Sequence, residues 1–597
     1  MTTSYRAVVY FLKQYKSLYC SVILVSILVA FLEALNLALF YPILNELFGA
    51  SAASQTGAGR ILVSLDQLVS LLPFSSKVIS TIILLISCTL IKSSISILNE
   101  AQISHMSATM LYDIKRALMQ KYARTKYQYF LDHKQGELNY NLLIAPHKAT
   151  FLILKSALLI TEVFKTLAIV IILFGISRSV TLVFIPLAFI FNLIISLLAK
   201  KVSYVIGIKR INATTEQASI FHEFISGIKQ IKVYVAANKW LNQFDAHNKD
   251  FSKLYVKDNV WLSIPKHMLE VMAVLLLFGM ILFVQLYRPG SVSGFVPLLG
   301  VFAMAVLKIF PSSANIARMR MEIVGAFPEM EVTYKVLTTP IEEPPSGPRE
   351  FKSFAKNIKF EDVYFAYKED HPILDSIDLL FEKNKITALV GLSGSGKTTV
   401  VNLLLGLFKP GKGKILVDDT NELSEFSIDS WLSKIGIVTQ DAFIFHSSIE
   451  DNIRFGLQQP NLQEIEEAAR LANANEFITG LPQGYQTVVG ERGMKLSGGQ
   501  QQRIAIARAI LRDPQVLIFD EAMSNLDTVS EKLIQESLRA IIRERTVIMI
   551  SHRMQTIIGA DSIIVLKDGR VDAQGTHDGL MRTNTFYRSL YDMDKIT

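Results

Sequence analysis

Apolar and polar positions are unevenly spread along the 597-residue chain. Before about residue 320, long apolar runs dominate. Six of them reach or approach the roughly 20 apolar residues a helix needs to cross a bilayer core. They are Leu18–Leu47, Val78–Leu98, Ile153–Phe174, Val180–Leu198, Ile264–Leu286 and Phe295–Phe310, the last broken by Pro297 and Pro311. The first run follows Arg6, Lys13 and Lys16 and continues to about Leu47. That is too long for the apolar core of a cleaved leader, so it reads as a retained membrane helix. Beyond Phe360 the pattern changes to short β-type runs alternating with helical ones, the mark of an α/β domain with a largely parallel core sheet.

Between runs two and three lie Lys115, Arg116, Lys121, Arg124, Lys126, Lys134 and Lys148. Between runs four and five lie Lys200, Lys201, Lys209, Arg210, Lys229, Lys232, Lys239, Lys249, Lys253 and Lys257. The opposite loops carry only Arg60, Arg178 and Arg288. Lys/Arg asymmetry of this kind puts the basic segments and both termini in the cytoplasm. These segments are too polar for lipid and too long for turns, so they are expected to extend the membrane helices. Their tips, Tyr129–Leu138 and Glu223–Lys229, are expected to form short crossing helices where a cytoplasmic domain can press on them.

Composition agrees with this division. Half the residues are hydrophobic and the mean hydropathy is +0.33. The net charge of +8 suits an anionic membrane surface, because the basic residues cluster between the apolar runs and no nucleic-acid motif accompanies them. Cys20 and Cys88 lie in apolar stretches and read as packing. Pro340, Pro344, Pro345, Gly347 and Pro348 mark a linker that no helix can continue through. The expected division is a membrane domain over 1–338, a linker over 339–350 and a nucleotide-binding domain over 351–597.

Charge inside an apolar run is costly and usually faces a cavity or a partner. Glu33, Lys92, Glu162, Lys165, Glu270 and Lys308 are such charges. Glu162 with Lys165 and Lys266 with Glu270 have helical pair spacing. Glu33 and Lys308 have no partner near in sequence. With Lys92, they are the candidates for a polar substrate path.

In the C-terminal half the strand Ile386–Val390 runs into Gly391-Leu-Ser393-Gly394-Ser395-Gly396-Lys397-Thr398-Thr399. This is a phosphate loop in a strand-to-helix setting: glycines let backbone N–H groups converge on phosphates at a helix start. Lys397 is placed to reach the β- and γ-phosphates and Thr398 to ligate Mg2+. A second strand, Val516–Phe519, ends in Asp520-Glu521. Asp520 suits a Mg2+ contact and Glu521 the base that activates water. Leu496-Ser497-Gly498-Gly499-Gln500 precedes a helix expected over Gln501–Leu511. That is a second anion-binding helix start, which makes sense if it completes the site of a partner domain.

With that pentapeptide the chain resembles the ABC transporters, specifically exporter half-transporters, over nearly its whole length. The resemblance implies a multidomain protein. An all-α polytopic membrane domain with six transmembrane helices precedes an α/β P-loop NTPase domain of ABC type. It further implies that Tyr367 stacks on adenine, that Gln440 contacts Mg2+ or the lytic water, and that Ser497 to Gln500 belong to the signature. Asp527 of Ser524–Asp527 and the switch histidine His552 then contact nucleotide. Val489–Gly493 looks like the loop that exporters place against the crossing tips. Met523 and Asn525 depart from the more usual threonine and alanine; neither supplies a catalytic group.

One chain has one phosphate loop and one signature, so the resemblance implies a homodimer that sandwiches ATP and uses closure to turn a cavity from inward to outward facing. A heterodimer would read the same in one chain. Phe31–Asn36 with Tyr41-Pro42, Ile264-Pro265-Lys266 and Phe310–Asn315 resemble bacterial lipid-linked oligosaccharide flippases, which implies a lipid-linked or amphipathic substrate. Other lipids, peptides and drugs stay open as cargo, although no protease-like domain for cleaving peptide leaders precedes the first span. An ATP-gated channel or regulatory protein is disfavoured by the full catalytic set, and a soluble ATPase of nucleic-acid metabolism by the membrane runs. The expected location is the bacterial inner membrane, with the nucleotide domain in the cytoplasm.

Overall fold

The computed structural model describes residues 2–47, 76–176, 178–287, 292–340, 342–368, 371–457, 460–522, 545–551 and 553–596. Met523, Ser524–Asp527 and His552 lie outside the described residues, as do Arg60 and Arg288. The chain divides into two compact units: Met1–Ala123 with Phe130–Pro340, and Arg124–Tyr129 with Ile341–Thr597.

The first unit is helical. The helices over 2–338 are α1 (Thr2–Gln14), α2 (Lys16–Leu47), α3 (Lys77–Arg124), α4 (Tyr127–Asp132), α5 (Gln135–Asn139), α6 (Ala145–Ile176), α7 (Arg178–Ser226), α8 (Ile228–Val233), α9 (Ala237–Tyr287) and α10 (Val292–Thr338), with Arg124 and Tyr127–Tyr129 belonging to the second unit. Each expected span falls within one of the six long helices. Among the described residues, four helices are long and apolar enough to cross a membrane: Lys16–Phe40, Lys77–Arg124, Gln135–Phe174 and Ile190–Ser226. In the Lys77–Arg124 helix only 17% of the apolar window is buried, so its side chains face outward. Outward-facing Leu90, Ile97, Leu197 and Leu275 demand lipid rather than water around them.

α1 was not anticipated. Its periodicity buries Ala7 and Phe11, and leaves Tyr5 and Val9 exposed. The basic segments do extend the membrane helices, and both tips break into short helices. The first gives α4 and α5, with a π-turn at Tyr140–Ile144 leading into α6. α5 lies tight on α7: a Cβ on Gly136 would sit 2.6 Å from Ser219 Oγ. The second tip breaks at Gly227, where α8 begins.

A glycine pair and an arginine fix the approach of α7 to α10. A Cβ on Gly207 of α7 would lie 2.3 Å from the carbonyl oxygen of Gly325 on α10, so the two backbones touch there. One turn on, Arg210 donates to Glu329 Oε1 from Nη2 at 2.7 Å, to Asp258 Oδ2 at 3.2 Å and to the Gly325 carbonyl at 3.2 Å. A single guanidinium thus ties α7, α9 and α10, and its fork geometry suits this better than an ammonium would.

In the second unit, β1 (Asn357–Lys368), β2 (His371–Glu382), β4 (Lys412–Val417) and β5 (Asn421–Glu422) form an antiparallel sheet, in the order β2-β1-β4-β5. A six-stranded sheet contains β3 (Ile386–Val390), β6 (Ile435–Val438), β7 (Val516–Asp520), β8 (Thr546–Ile550), β9 (Ser562–Lys567) and β10 (Arg570–Gly575). Its order is β10-β9-β3-β8-β7-β6, parallel except for β10. One buried core packs the phosphate-loop helix with both sheets. A second core holds the helix that follows Ser497 together with the helices before it.

Candidate functional site

Register places the predicted chemistry on one edge. Across the parallel sheet Leu389 pairs with Ile550, Ile550 with Asp520, and Phe519 with Val438. The carboxyl ends of β3, β8, β7 and β6 therefore line up, and Gly391, Ser551, Glu521 and Gln440 follow them within two residues. Ligands of open parallel sheets bind at this edge.

The loop after β3 is shaped by two glycines. Gly391 passes so close to β9 that a Cβ would lie 2.2 Å from the Leu566 carbonyl oxygen. Gly396, at φ +101, is the N-cap of the helix Lys397–Leu404, and a Cβ there would strike Leu374 at 2.5 Å. The first N–H groups of that helix have no intrahelical partner and face the loop. Gly394, at φ +83, has nothing within 4 Å of its Cβ position, and Ser393 beside it is exposed. Ser395 Oγ is buried with no hydrogen-bond partner. A helix start beside one orphaned hydroxyl fits an oxyanion ligand.

Lys397 is buried and donates from Nζ to the carbonyls of Gly391 and Leu392, both at 2.9 Å. Burial holds its ammonium below the ordinary lysine range, while the nearby carboxylates of Glu521 and Asp520 push it back up. Those two acids are thus electrically coupled to the loop lysine. Glu521 stands at φ +52, a left-handed backbone that costs a non-glycine residue about 1 kcal/mol, and its N–H donates to the Ile550 carbonyl at 2.9 Å. Strain of this kind turns a side chain off the strand end and is typical of working sites.

Thr398 is exposed at the loop mouth, Thr399 buried behind it, and Gln440 exposed. Among the described residues no cluster of three or more His, Cys, Asp or Glu could hold a metal by itself. The Thr398 hydroxyl, the Gln440 amide oxygen and the Asp520 carboxylate are hard oxygen donors. They fit Mg2+ if phosphate oxygens complete its shell.

Ser497 stands on another helix, whose buried apolar residues belong to the second core. It caps a helix that starts at Gly498, three residues before the expected Gln501, and runs to Leu511. The cap is reciprocal: Ser497 Oγ accepts from the Gln500 N–H at 3.3 Å, and the Ser497 N–H donates to Gln500 Oε1 at 2.9 Å. Gly499 is buried under the helix start while Gly498 is exposed. Gln501 donates to the Gly493 carbonyl at 2.9 Å, pinning the Val489–Gly493 loop. Gln502 donates to the Thr439 carbonyl at 3.2 Å, beside Gln440.

Several supporting residues gave no signal in the sequence. Asn452, fully buried, accepts from Phe445 N–H at 2.8 Å and donates to Phe445 O at 2.9 Å, so it knits the segment after Gln440. Arg508 donates to the carbonyls of Phe443 and Asn452, and burial lowers its pKa to about 10. Trp431 Nε1 donates to the Leu404 carbonyl at 2.8 Å and holds the far end of the loop helix. Tyr367 packs edge-to-face on Phe365 at 5.0 Å and on Phe408 at 5.2 Å. Phe408 also meets Tyr127, 6.0 Å between centroids, within the same unit. Lys126 joins that unit through an ion pair with Glu342 and a 2.9 Å bond from its N–H to the Glu342 carbonyl.

In the membrane helices Glu33 and Lys308, which have no partner near in sequence, pair across helices. Each has a partner: Lys92 Nζ donates to Glu33 Oε2 at 2.8 Å and Lys308 Nζ to Glu33 Oε1 at 2.7 Å. The partners sit on α3 and α10, too far away in sequence for helical spacing to reveal them. Glu162 and Lys165 do pair, at 3.1 Å. Lys266 and Glu270 approach only to 3.9 Å.

The chain matches the family model of the ABC transporter transmembrane region over residues 19–306 and the ABC transporter model over residues 374–524. It is 30% identical over 576 residues to the heterocyst differentiation ATP-binding protein HepA of Nostoc sp., covering 96% of this chain and 93% of that one. It is 32% identical over 499 residues to the ATP-dependent lipid A-core flippase of Alkalilimnicola ehrlichii, covering 80% and 81%. The solved structure of a bacterial Atm1-family ABC exporter with ATP bound aligns with a TM-score of 0.79 over 97% of this chain and 98% of that chain; at 24% identity this shows a shared fold. The chain belongs to the ABC transporters, as an integral membrane exporter with a transmembrane region fused to an ABC ATPase domain.

Proposed function

We propose that two copies of this chain form a homodimer that hydrolyses ATP to move a lipid-like or amphipathic molecule across the bacterial inner membrane, with the nucleotide domains in the cytoplasm. The observation that carries this reading is the split of the anion-binding helix starts. Lys397 shares the sheet edge with Asp520, Glu521 and Gln440, while Ser497 caps a helix in a different core of the same unit. A symmetric pair places Ser497 of the partner subunit over the phosphates held by Lys397. ATP then favours the closed state because only that state contacts it from both sides.

In this account the loop N–H groups from Gly391 to Thr399 and the Lys397 ammonium hold the phosphates. Tyr367 stacks on adenine, and Phe408 holds the Tyr367 ring. Glu521 takes the proton of the water that attacks the γ-phosphorus, and ADP leaves in line opposite that water. Thr398, Gln440 and Asp520 would hold Mg2+, which neutralises charge developing on the phosphates. Asp527 and His552 keep their expected roles at the γ-phosphate side. The tips Tyr129–Leu138 and Phe221–Tyr234 carry closure to the membrane helices.

A lipid-linked cargo, such as a lipid-linked oligosaccharide, is favoured. The lipid A-core flippase relative supports a lipid. The test is reconstitution in liposomes with fluorescent lipid, lipid-linked glycan and peptide cargo. Glu521→Gln should bind ATP yet lose nearly all turnover and translocation. Near-normal hydrolysis by that variant would refute the assignment of the base.

A further inference from the structure

Two motifs that the nucleotide chemistry does not use face one cavity. Lys266, from Ile264-Pro265-Lys266, and Phe310, Pro311, Ala314 and Asn315, from the Phe310–Asn315 motif, line a cavity of about 590 Å3 between α9 and α10. That volume lies within the range of small-ligand sites. α9 ends at Tyr287 and α10 begins at Val292, so the two helices pack antiparallel and the cavity runs along them.

Its lining is graded. Toward the membrane lie Leu269, Ala273, Leu307 and Phe310, with Glu270 among them near Lys266. Toward the basic cytoplasmic segment lie Asn259, Ser263, Asn315, Arg318 and Glu322, with Lys266 between the two ends. An apolar slot with a polar mouth at head-group depth has the polarity profile of an amphiphile.

The cations at the mouth are loosely held. Lys266 Nζ stands 3.9 Å from Glu270, with its side chain 69% exposed. Arg318 Nε stands 4.0 Å from Glu322, 47% exposed. Glu322 is taken by Lys155 at 2.7 Å, and Glu270 also meets His267 at 3.2 Å. Lys266, Arg318 and Lys155 against Glu270 and Glu322 leave one positive charge, His267 apart. Lys308 differs from its neighbour Leu307: it turns to Glu33, and neither it, Glu33 nor Lys92 lines this cavity.

We infer that this slot binds the phosphate-bearing end of the transported lipid. The phosphate meets Lys266 and Arg318, and the first part of the chain lies along Leu269, Ala273, Leu307 and Phe310. The inference rests on the amphipathic-cargo reading above and adds the head-group chemistry and the place where it is read.

The full chain in phosphatidylcholine nanodiscs, without nucleotide, tests it. Binding of a polyprenyl phosphate and of the matching polyprenol is measured, with phosphatidylglycerol as competitor. The phosphate lipid should bind about tenfold or more tighter than the alcohol. Lys266→Gln with Arg318→Gln should weaken the phosphate lipid by about thirtyfold and leave the alcohol unchanged. The exchange Lys266→Arg with Arg318→Lys should restore binding, which separates lost charge from lost folding. Three outcomes overturn the inference: no preference for phosphate in the wild type, equal displacement by phosphatidylglycerol, which would mark a bulk-lipid groove, or a Ser263→Cys disulfide between two copies, which would mark a subunit interface. A slot that binds nothing while liposomes still translocate lipid sinks this inference alone. Failure of the wild type to move any amphiphile sinks the broader reading.

Discussion

Lys397 and Lys308 both hold their ammonium groups on oxygen partners, yet they are secured in different ways. Lys397 donates to carbonyls five and six residues back, inside its own loop. Lys308 reaches a carboxylate 275 residues away, which a second lysine also holds from 59 residues away. The first arrangement is a local device that any copy of the loop reproduces. The second exists only once three helices have assembled. Local charge can be spent on ligand chemistry, since the carbonyl partners stay in place when the ammonium moves to a phosphate. Assembled charge is committed to holding helices, because taking either lysine from Glu33 leaves a buried carboxylate half-satisfied.

Substitutions on the two sides should therefore fail differently. The largest effect is expected for Lys397→Ala. ATP turnover should fall by about two to three orders of magnitude, with little change in melting in detergent. A variant that hydrolyses normally, or that fails to fold, would erase the contrast. Next is Glu33→Gln, which leaves Lys92 and Lys308 facing each other without their shared carboxylate. It should cost about 3 kcal/mol of stability, read as a lowered unfolding midpoint. Replacing all three by Leu should recover most of that loss; if it does not, the cluster does more than hold helices.

A smaller effect is expected at Phe408. Its ring contacts with Tyr367 and Tyr127 contribute about 1 kcal/mol each. Phe408→Ala should raise KM for ATP about tenfold with a lesser change in kcat, the pattern of lost ground-state binding. Equal falls in kcat and kcat/KM would place Phe408 elsewhere in the cycle. Smallest is Glu270→Gln, at an exposed pair 3.9 Å apart. It should shift stability by less than about 0.5 kcal/mol.

The same contrast explains what could be read in advance. The phosphate loop, the Asp520-Glu521 strand end and the Ser497 cap are short segments whose geometry follows from their own glycines and caps, so sequence pattern located them. The six apolar runs located the long helices for a similar reason. α1 was missed because its apolar face is short and mixed with tyrosines and charges. The Glu33 cluster was not legible because helical spacing reveals only partners three or four residues away, and these come from other helices. Asn452, Arg508 and Phe408 were invisible because an Asn, an Arg or a Phe carries no positional mark until the segments it ties are in place. The cavity between α9 and α10 was half visible: both motifs stood out, but nothing in the chain order showed that they share one space.

The central claim is that each ATP site is built from two chains, and mixing two defective chains tests it most directly. Lys397→Ala and Ser497→Arg each damage both sites of their own dimer. In a mixed dimer one site receives both defects and the other receives neither. Coexpressed variants should therefore regain ATP hydrolysis, to about a quarter of wild type if chains pair at random, since half the dimers are mixed and each has one intact site of two. Hydrolysis no higher than that of either variant alone would mean that Lys397 and Ser497 do not meet across a subunit boundary.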